Sequence, residues 1–259
     1  MTKTGAGKLT LAADNTAIAG GFTVAQGTLD VTHVLGLGTA NVTVNGGLLT
    51  VNATIANTVN VTSGAALGGA GSVATASVAA GATLAPGNSA GQLTFGALVL
   101  AGNSTFEWQV QNATNATTGY DRLVVTGNLD LRQASLNNKI NLRLVSLLGA
   151  GDGNTLGNPL NFDPPGIAAQ PTVFQFATVG GVLLNSGENI SDVFRFDVTD
   201  FRYSNGSLSN AGLWSIDWNV GTGAITLTAV PEPSTYGFGL GALALAAAAI
   251  RRRKRQAKA

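Results

Sequence analysis

Apolar and polar residues alternate in short runs along most of the chain. Val42 and Val44 flank Thr43, Leu49 and Val51 flank Thr50, and Val59 and Val61 flank Asn60. A period of two is the signature of a half-buried strand. The runs also repeat. Val24, Val44, Val61 and Val78, at intervals of 20, 17 and 17 residues, each open the same phrase: Val24-Ala-Gln-Gly-Thr-Leu29, Val44-Asn-Gly-Gly-Leu-Leu49, Val61-Thr-Ser-Gly-Ala-Ala-Leu67 and Val78-Ala-Ala-Gly-Ala-Thr-Leu84. Gly27, Gly46 or Gly47, Gly64 and Gly81 stand at the break in each phrase, where a corner with positive φ needs glycine. A unit this short cannot enclose a core, so it must stack on its neighbours. The pattern predicts an all-β chain whose body is a right-handed parallel β-helix, a solenoid with Val, Leu and Ile inward and Thr, Asn and Ser outward.

Charge sharpens that picture. Only 10% of the 259 residues are charged, against ~25% in an average soluble domain. The 76 residues from Val31 to Phe106 contain no Asp, Glu, Lys or Arg. Stacked coils account for this, because like charges on a ladder would sit ~4.8 Å apart and repel. So bare a surface cannot neutralise phosphates, which excludes nucleic acid as a partner. The chain has no cysteine, excluding disulfides and thiolate chemistry. The near-neutral total conceals two parts. Residues 1–230 hold 8 Lys/Arg and 12 Asp/Glu, a net of −4, whereas residues 231–259 hold 6 Lys/Arg and Glu232 alone, a net of +5.

Several phrases resemble a known family. Gly5-Ala-Gly-Lys-Leu-Thr-Leu11, Asn15-Thr16, Gly20-Gly21, Thr23-Val24 and Gly27-Thr-Leu-Asp-Val31 resemble the autotransporter-associated β-strand repeat. Leu84-Ala-Pro-Gly-Asn-Ser89 with Gly91-Gln-Leu93 resembles a phrase that ends such arrays, and Tyr120-Asp-Arg-Leu-Val-Val-Thr-Gly127 a segment that follows them. The resemblance implies an exported, β-helical surface region over residues 1–131. From Gln133 to Thr228 the repeat fades while alternation persists in Ile140–Leu144, Phe174–Phe176, Phe194–Val198, Trp214–Trp218 and Ala224–Thr228. Residues 132–229 are therefore expected to form a β-rich cap, its aromatics closing the solenoid against water. Gly149 to Pro171 is expected to be an irregular link between coils and cap.

The last segment, 230–259, has its own design. Val230-Pro-Glu-Pro-Ser-Thr235 precedes a charge-free run from Tyr236 to Ile250, and Arg251, Arg252, Arg253, Lys254 and Arg255 follow. The two prolines break any preceding strand. As a helix the run from 236 to 250 spans about 22 Å, short of the ~30 Å hydrocarbon core, so insertion needs thinning and snorkelling arginines. The basic block sets orientation, with the tail in the cytoplasm and the body outside. The three parts together resemble the PEP-CTERM sorting signal, with Pro231, Glu232 and Pro233 as the motif. That resemblance implies a Gram-negative inner-membrane precursor and an exosortase-type membrane protease as partner. It further implies surface attachment or release, and exopolysaccharide among the expected contacts. Gly237 and Gly241 form a GxxxG spacing that the small-residue composition of the run explains without a dimer. Met1 to Lys8 shows no export signal, and the repeat already begins at Gly5; the expectation is a chain that starts within a longer array.

Catalytic chemistry finds little support. Gly5-Ala-Gly-Lys8 departs from a phosphate loop at Thr2 and Leu9. His33 is the sole histidine and no Gly-x-Ser-x-Gly elbow exists. Asp192, Asp197, Asp200 and Asp217, with Arg195 and Arg202, are the candidates for a carboxylate site such as glycosidases use. Alternation leaves their co-facing open. Asp152 reads as a turn residue, and Asn41, Asn112 and Asn115 begin Asn-x-Ser/Thr triplets that composition explains. The expectation is no catalytic residue, no metal and no cofactor. The function expected is a non-enzymatic structural or adhesive cell-surface protein. A carbohydrate-active enzyme or polysaccharide-binding module on the same scaffold is the alternative. A third reading, an autotransporter passenger, requires a barrel for which no room exists between Gln133 and Val230.

Overall fold

A computed structural model describes residues 1–18, 20–149, 154–162, 172–202 and 209–229. Strand is nearly the only regular structure in the described chain; its helical content is one four-residue turn, Ile190–Val193, and a 3₁₀ turn, Ala211–Leu213. As far as Phe194–Asp200 successive strands alternate between two sheets, except that the short strands Leu129–Asp130 and Leu183–Leu184 also join the first. Thr2–Lys3, Phe22–Val24, Val42–Val44, Thr54–Val61, Ser72–Val78, Gln92–Leu100, Arg122–Val125 and Thr172–Val179 lie side by side in the first. Lys8–Leu11, Thr28–Val31, Gly47–Val51, Ala65–Gly69, Thr83–Pro86, Thr105–Val110, Ile140–Ser146 and Phe194–Asp200 form the second. Every neighbouring pair named here is parallel. Among the described strands, antiparallel pairing is confined to Ala224–Ala229, which pairs with Trp214–Asn219 in a hairpin and with Thr172–Val179 of the first sheet.

Register follows the repeat. Val24, Val44, Val61 and Val78 are direct cross-strand partners in sequence. In the second sheet Leu9, Leu29, Leu49, Leu67, Leu84, Phe106, Leu142 and Phe196 form one uninterrupted ladder. Inward residues of both sheets share a single hydrophobic cluster, and full burial of each leucine contributes on the order of 2 kcal/mol. On the opposite face of the first sheet Thr2, Thr23, Thr43, Asn60 and Ser77 pair in turn.

The valine ladder continues to Leu100, partner of Val78. From there Leu100-Ala-Gly-Asn-Ser-Thr-Phe106 parallels Val78-Ala-Ala-Gly-Ala-Thr-Leu84, with Thr105 and Phe106 opposite Thr83 and Leu84. Asn103 (φ 60°) takes the corner that glycine holds at Gly81 (φ 76°), as asparagine can. Of the pair left open at 46 and 47, Gly47 has the positive φ, 78°.

Parallel stacking persists past residue 131 although the phrase does not. What changes is the filling. Trp108, Tyr120, Phe162, Phe174, Phe201 and Trp214 pack edge-on and stacked, with Trp108–Phe174 and Phe201–Trp214 centroids each 4.9 Å apart. Bulky rings here fill the far end of the stack before the antiparallel hairpin. Of the irregular link, residues 154–162 are described: Leu156 bridges Leu147 and Leu160 bridges Asn112, so this part docks on the strands. Among the described residues no helix is long and apolar enough to cross a membrane; the run expected to do so, 236–250, lies outside them.

Candidate functional site

Pro231, Glu232, Pro233 and the basic block from Arg251 to Arg255 lie outside the described residues, as does Asp152. The structure therefore bears on the body, and first on its polar residues.

Near the N-terminus the glycine-lysine phrase forms the bend between Thr2–Lys3 and Lys8–Leu11. Lys3 stands in the inward valine position opposite Val24. Its ammonium is satisfied by the carbonyls of Thr4, Gly5 and Gln26 at 3.0, 2.7 and 3.0 Å. Carbonyls converge where a phosphate cradle would present N–H groups. Lys8 pairs with Asp30 at 2.6 Å. Asp30 also accepts from Asn52 Nδ2 (2.9 Å), whose Oδ1 accepts from Asn88 Nδ2 (2.8 Å), so polar side chains ladder outside as apolar ones do inside. His33 accepts the Leu35 N–H at Nδ1 (3.2 Å) in a turn. Asn112 and Asn115 cap their own turn through Thr114, Thr117 and Thr118.

Of the four carboxylates only Asp197 and Asp200 come together, around Arg143, while Asp192 and Asp217 lie on other elements. Asp192 belongs to the short helix and accepts from Asn189 Nδ2 at 3.3 Å. Asp197 and Asp200 lie in Phe194–Asp200, the last strand of the second sheet. Phe196 and Val198 pack toward the core, while Asp197 pairs in register with Arg143. A register shift then brings Asp200, rather than the next residue in strict order, opposite Val145. The shift lets Arg143 bridge two carboxylates, Asp200 and Glu107. The Asp200 hydrogen bond holds the guanidinium above its usual pKa despite partial burial. At Asp197, burial pushes the carboxyl up but is outweighed by the hydroxyl and N–H of Thr199 and by Asn141, leaving it low. Arg195 reaches Asn141, and the Arg202 N–H reaches Ser146. Asp217 is exposed on the hairpin of the other sheet. Among the described residues no three His, Cys, Asp or Glu group as metal ligands would.

Asp121 is a functional-looking residue that the sequence did not single out. It is fully buried, and its two carboxylate oxygens accept from the N–H groups of Gly91 and Gln109, each at 2.8 Å. Its own carbonyl accepts from Trp108 Nε1 at 2.8 Å. Burial pushes this carboxyl well above the usual carboxylate range, against the pull of the two N–H donors. The signal was present in two phrases already quoted, Gly91-Gln-Leu93 and Tyr120-Asp-Arg122: Asp121 is the clasp that binds one to the other.

Two clefts meet on the hairpin. One of about 350 Å³ lies between Leu183–Ser191 and the strand Trp214–Asn219. The second, about 640 Å³, lies over the hairpin from Asp217 to Thr226. Asp217 and Trp218 line both.

Comparison with known proteins agrees with both ends of the chain. The passenger-associated-transport-repeat model matches residues 1–31, and the PEP-CTERM protein-sorting motif matches residues 229–254. No curated protein matches the chain. The two segments comprise 57 of the 259 residues, so they speak to the repeat and the address rather than to the polar sites between. The sorting motif marks an exported protein, secreted or on the cell surface, handled by an exosortase.

Proposed function

We propose that this chain is a non-enzymatic structural or adhesive protein of the cell surface or extracellular matrix, sorted and processed at its C-terminus. The observation that carries the reading is the sorting-motif match over residues 229–254. It coincides with Pro231-Glu-Pro233, the apolar run and the basic block in register. In this reading the precursor inserts residues 236–250 in the inner membrane, arginines inside. The exosortase removes the tail, and the body is attached or released outside.

For the body we propose a right-handed parallel β-helix. Alternation of parallel strands between two sheets, and unbroken ladders of partners, support it. Handedness follows the strong preference for right-handed crossovers between parallel strands. The pairing of Asp200 with Arg143, and the placing of Asp192 and Asp217 on other elements, support a non-enzymatic role. Stacked Thr, Asn and Ser suit a hydrated matrix and contact with exopolysaccharide.

Cell fractionation tests the proposal. Intact chain is expected in the inner membrane of a strain lacking its exosortase, and shortened chain in the surface or medium fraction of the parent. Replacing Pro231-Glu-Pro233 by alanines should trap the precursor. Cytosolic accumulation of the unaltered chain in both strains would show the address to be inoperative.

A further inference from the structure

Among the described residues the strand Trp214–Asn219 pairs on one side only, with Ala224–Ala229. Both clefts adjoin it, and both volumes, about 350 and 640 Å³, fall in the ~300–1,000 Å³ range of small-molecule sites. Alternation places Trp218 with Trp214 and Ile216 on the coreward face, and Asp217 and Asn219 on the other. A ligand lying across the open edge would thus meet an indole on one side and a carboxylate on the other.

The lining is rich in acceptors. Glu188 Oε2 is buried without a hydrogen-bond partner among the described residues, an unfavourable state that a donor would relieve. Asp217, which is exposed, lines the same cleft. Asn219 already uses its Oδ1 on the N–H groups of Gly221 and Thr222, so its amide N–H remains to donate. Trp108 and Trp214 are buried in the core, whereas Trp218 is half-buried. An indole face attracts the polarised C–H bonds of an apolar ring face. Many O–H donors combined with such a C–H face describe a saccharide. No Lys or Arg is among the described residues lining either cleft, and Glu188 and Asp217 would repel an anionic sugar. We infer that this open edge is a saccharide-binding subsite, selective for neutral or amine-bearing glycan chains over uronate-containing ones. It rests on the reading of the body as a surface module and gives that module a ligand class.

Acrylamide quenching of tryptophan fluorescence reads the site directly, because Trp218 is the accessible tryptophan. The full chain, in a non-glycosidic detergent, is titrated with cellohexaose, mannohexaose, chitosan hexamer and hexaguluronate. At least one of the first three is expected to protect Trp218 from acrylamide, and hexaguluronate is not. In affinity electrophoresis Trp218→Ala should weaken that binding at least about tenfold and Trp218→Phe by no more than about threefold. Asp217→Asn with Glu188→Gln should admit hexaguluronate. Thermal midpoints of the variants separate loss of the site from loss of the fold. Protection by none of the three, undiminished binding in a folded Trp218→Ala, or equal binding of hexaguluronate to the unaltered chain would each overturn the inference. Fractionation reads sorting independently, so a correctly delivered chain that binds no glycan discards the ligand and keeps the address.

Discussion

Asp121 shows how one side chain can hold distant phrases together. Both oxygens accept backbone N–H groups, from Gly91 and Gln109. Asparagine keeps the shape but has one acceptor oxygen, and its NH₂ would face a second N–H. Asp121→Asn is expected to lower stability by about 1–3 kcal/mol, measured by thermal or urea unfolding. The pH dependence has a definite sign. Burial raises the folded carboxyl above its ordinary value, so the folded chain holds that proton more tightly than the unfolded one. The stabilisation is present in full below the ordinary aspartate pKa and is lost as pH rises toward the raised one. Unfolding free energy measured from about pH 4 to 8 should decline with this component in the parent and lack it in Asp121→Asn. Arg143, by contrast, is partly exposed and bridges Glu107 and Asp200 across three adjacent strands. Solvent screens such a pair, so its value is in register more than in stability.

Repeats stack in parallel sheets only where the turns between their strands admit the neighbouring backbone. At Gly47 φ is 78° and an added Cβ would collide with the backbone of Gly27 one coil away. Gly64 has a similar φ of 82°, yet a Cβ there meets open space. Gly64→Ala should therefore cost only the backbone strain, about 1 kcal/mol, and Gly47→Ala clearly more, about 2–3 kcal/mol. Equal shifts of the two unfolding midpoints would show that the coil spacing does not limit the corner. The repeat itself was legible to the extent that its residues were similar. Valines at 24, 44, 61 and 78 fell into one ladder as their spacing predicts. The next coil escaped because Leu100, Asn103 and Phe106 stand where Val, Gly and Leu stood; the geometry tolerates each exchange, but the phrase no longer looks the same.

At the scale of the whole molecule the charge is divided between a body and an address. The body to residue 230 is −4 and the tail +5. Removal of the tail should move the protein from the basic to the acidic side of neutrality. Isoelectric focusing of surface and membrane fractions, with mass determination, checks this; a surface form that stays basic has kept its tail. Sequence by itself determined the strand period, the stacking unit and the address, because each depends on residues near one another in the chain or repeated at a fixed interval. Which of Asp192, Asp197, Asp200 and Asp217 come together was decided by tertiary structure, and only Asp197 and Asp200 do, around Arg143. Residues close in sequence went to a helix, the second sheet and the closing hairpin of the first, and a register shift reassigned Asp200. The burial of Asp121 and the pairing of clefts on Trp218 were likewise decided there, since both depend on which strands, far apart in the chain, come to lie side by side.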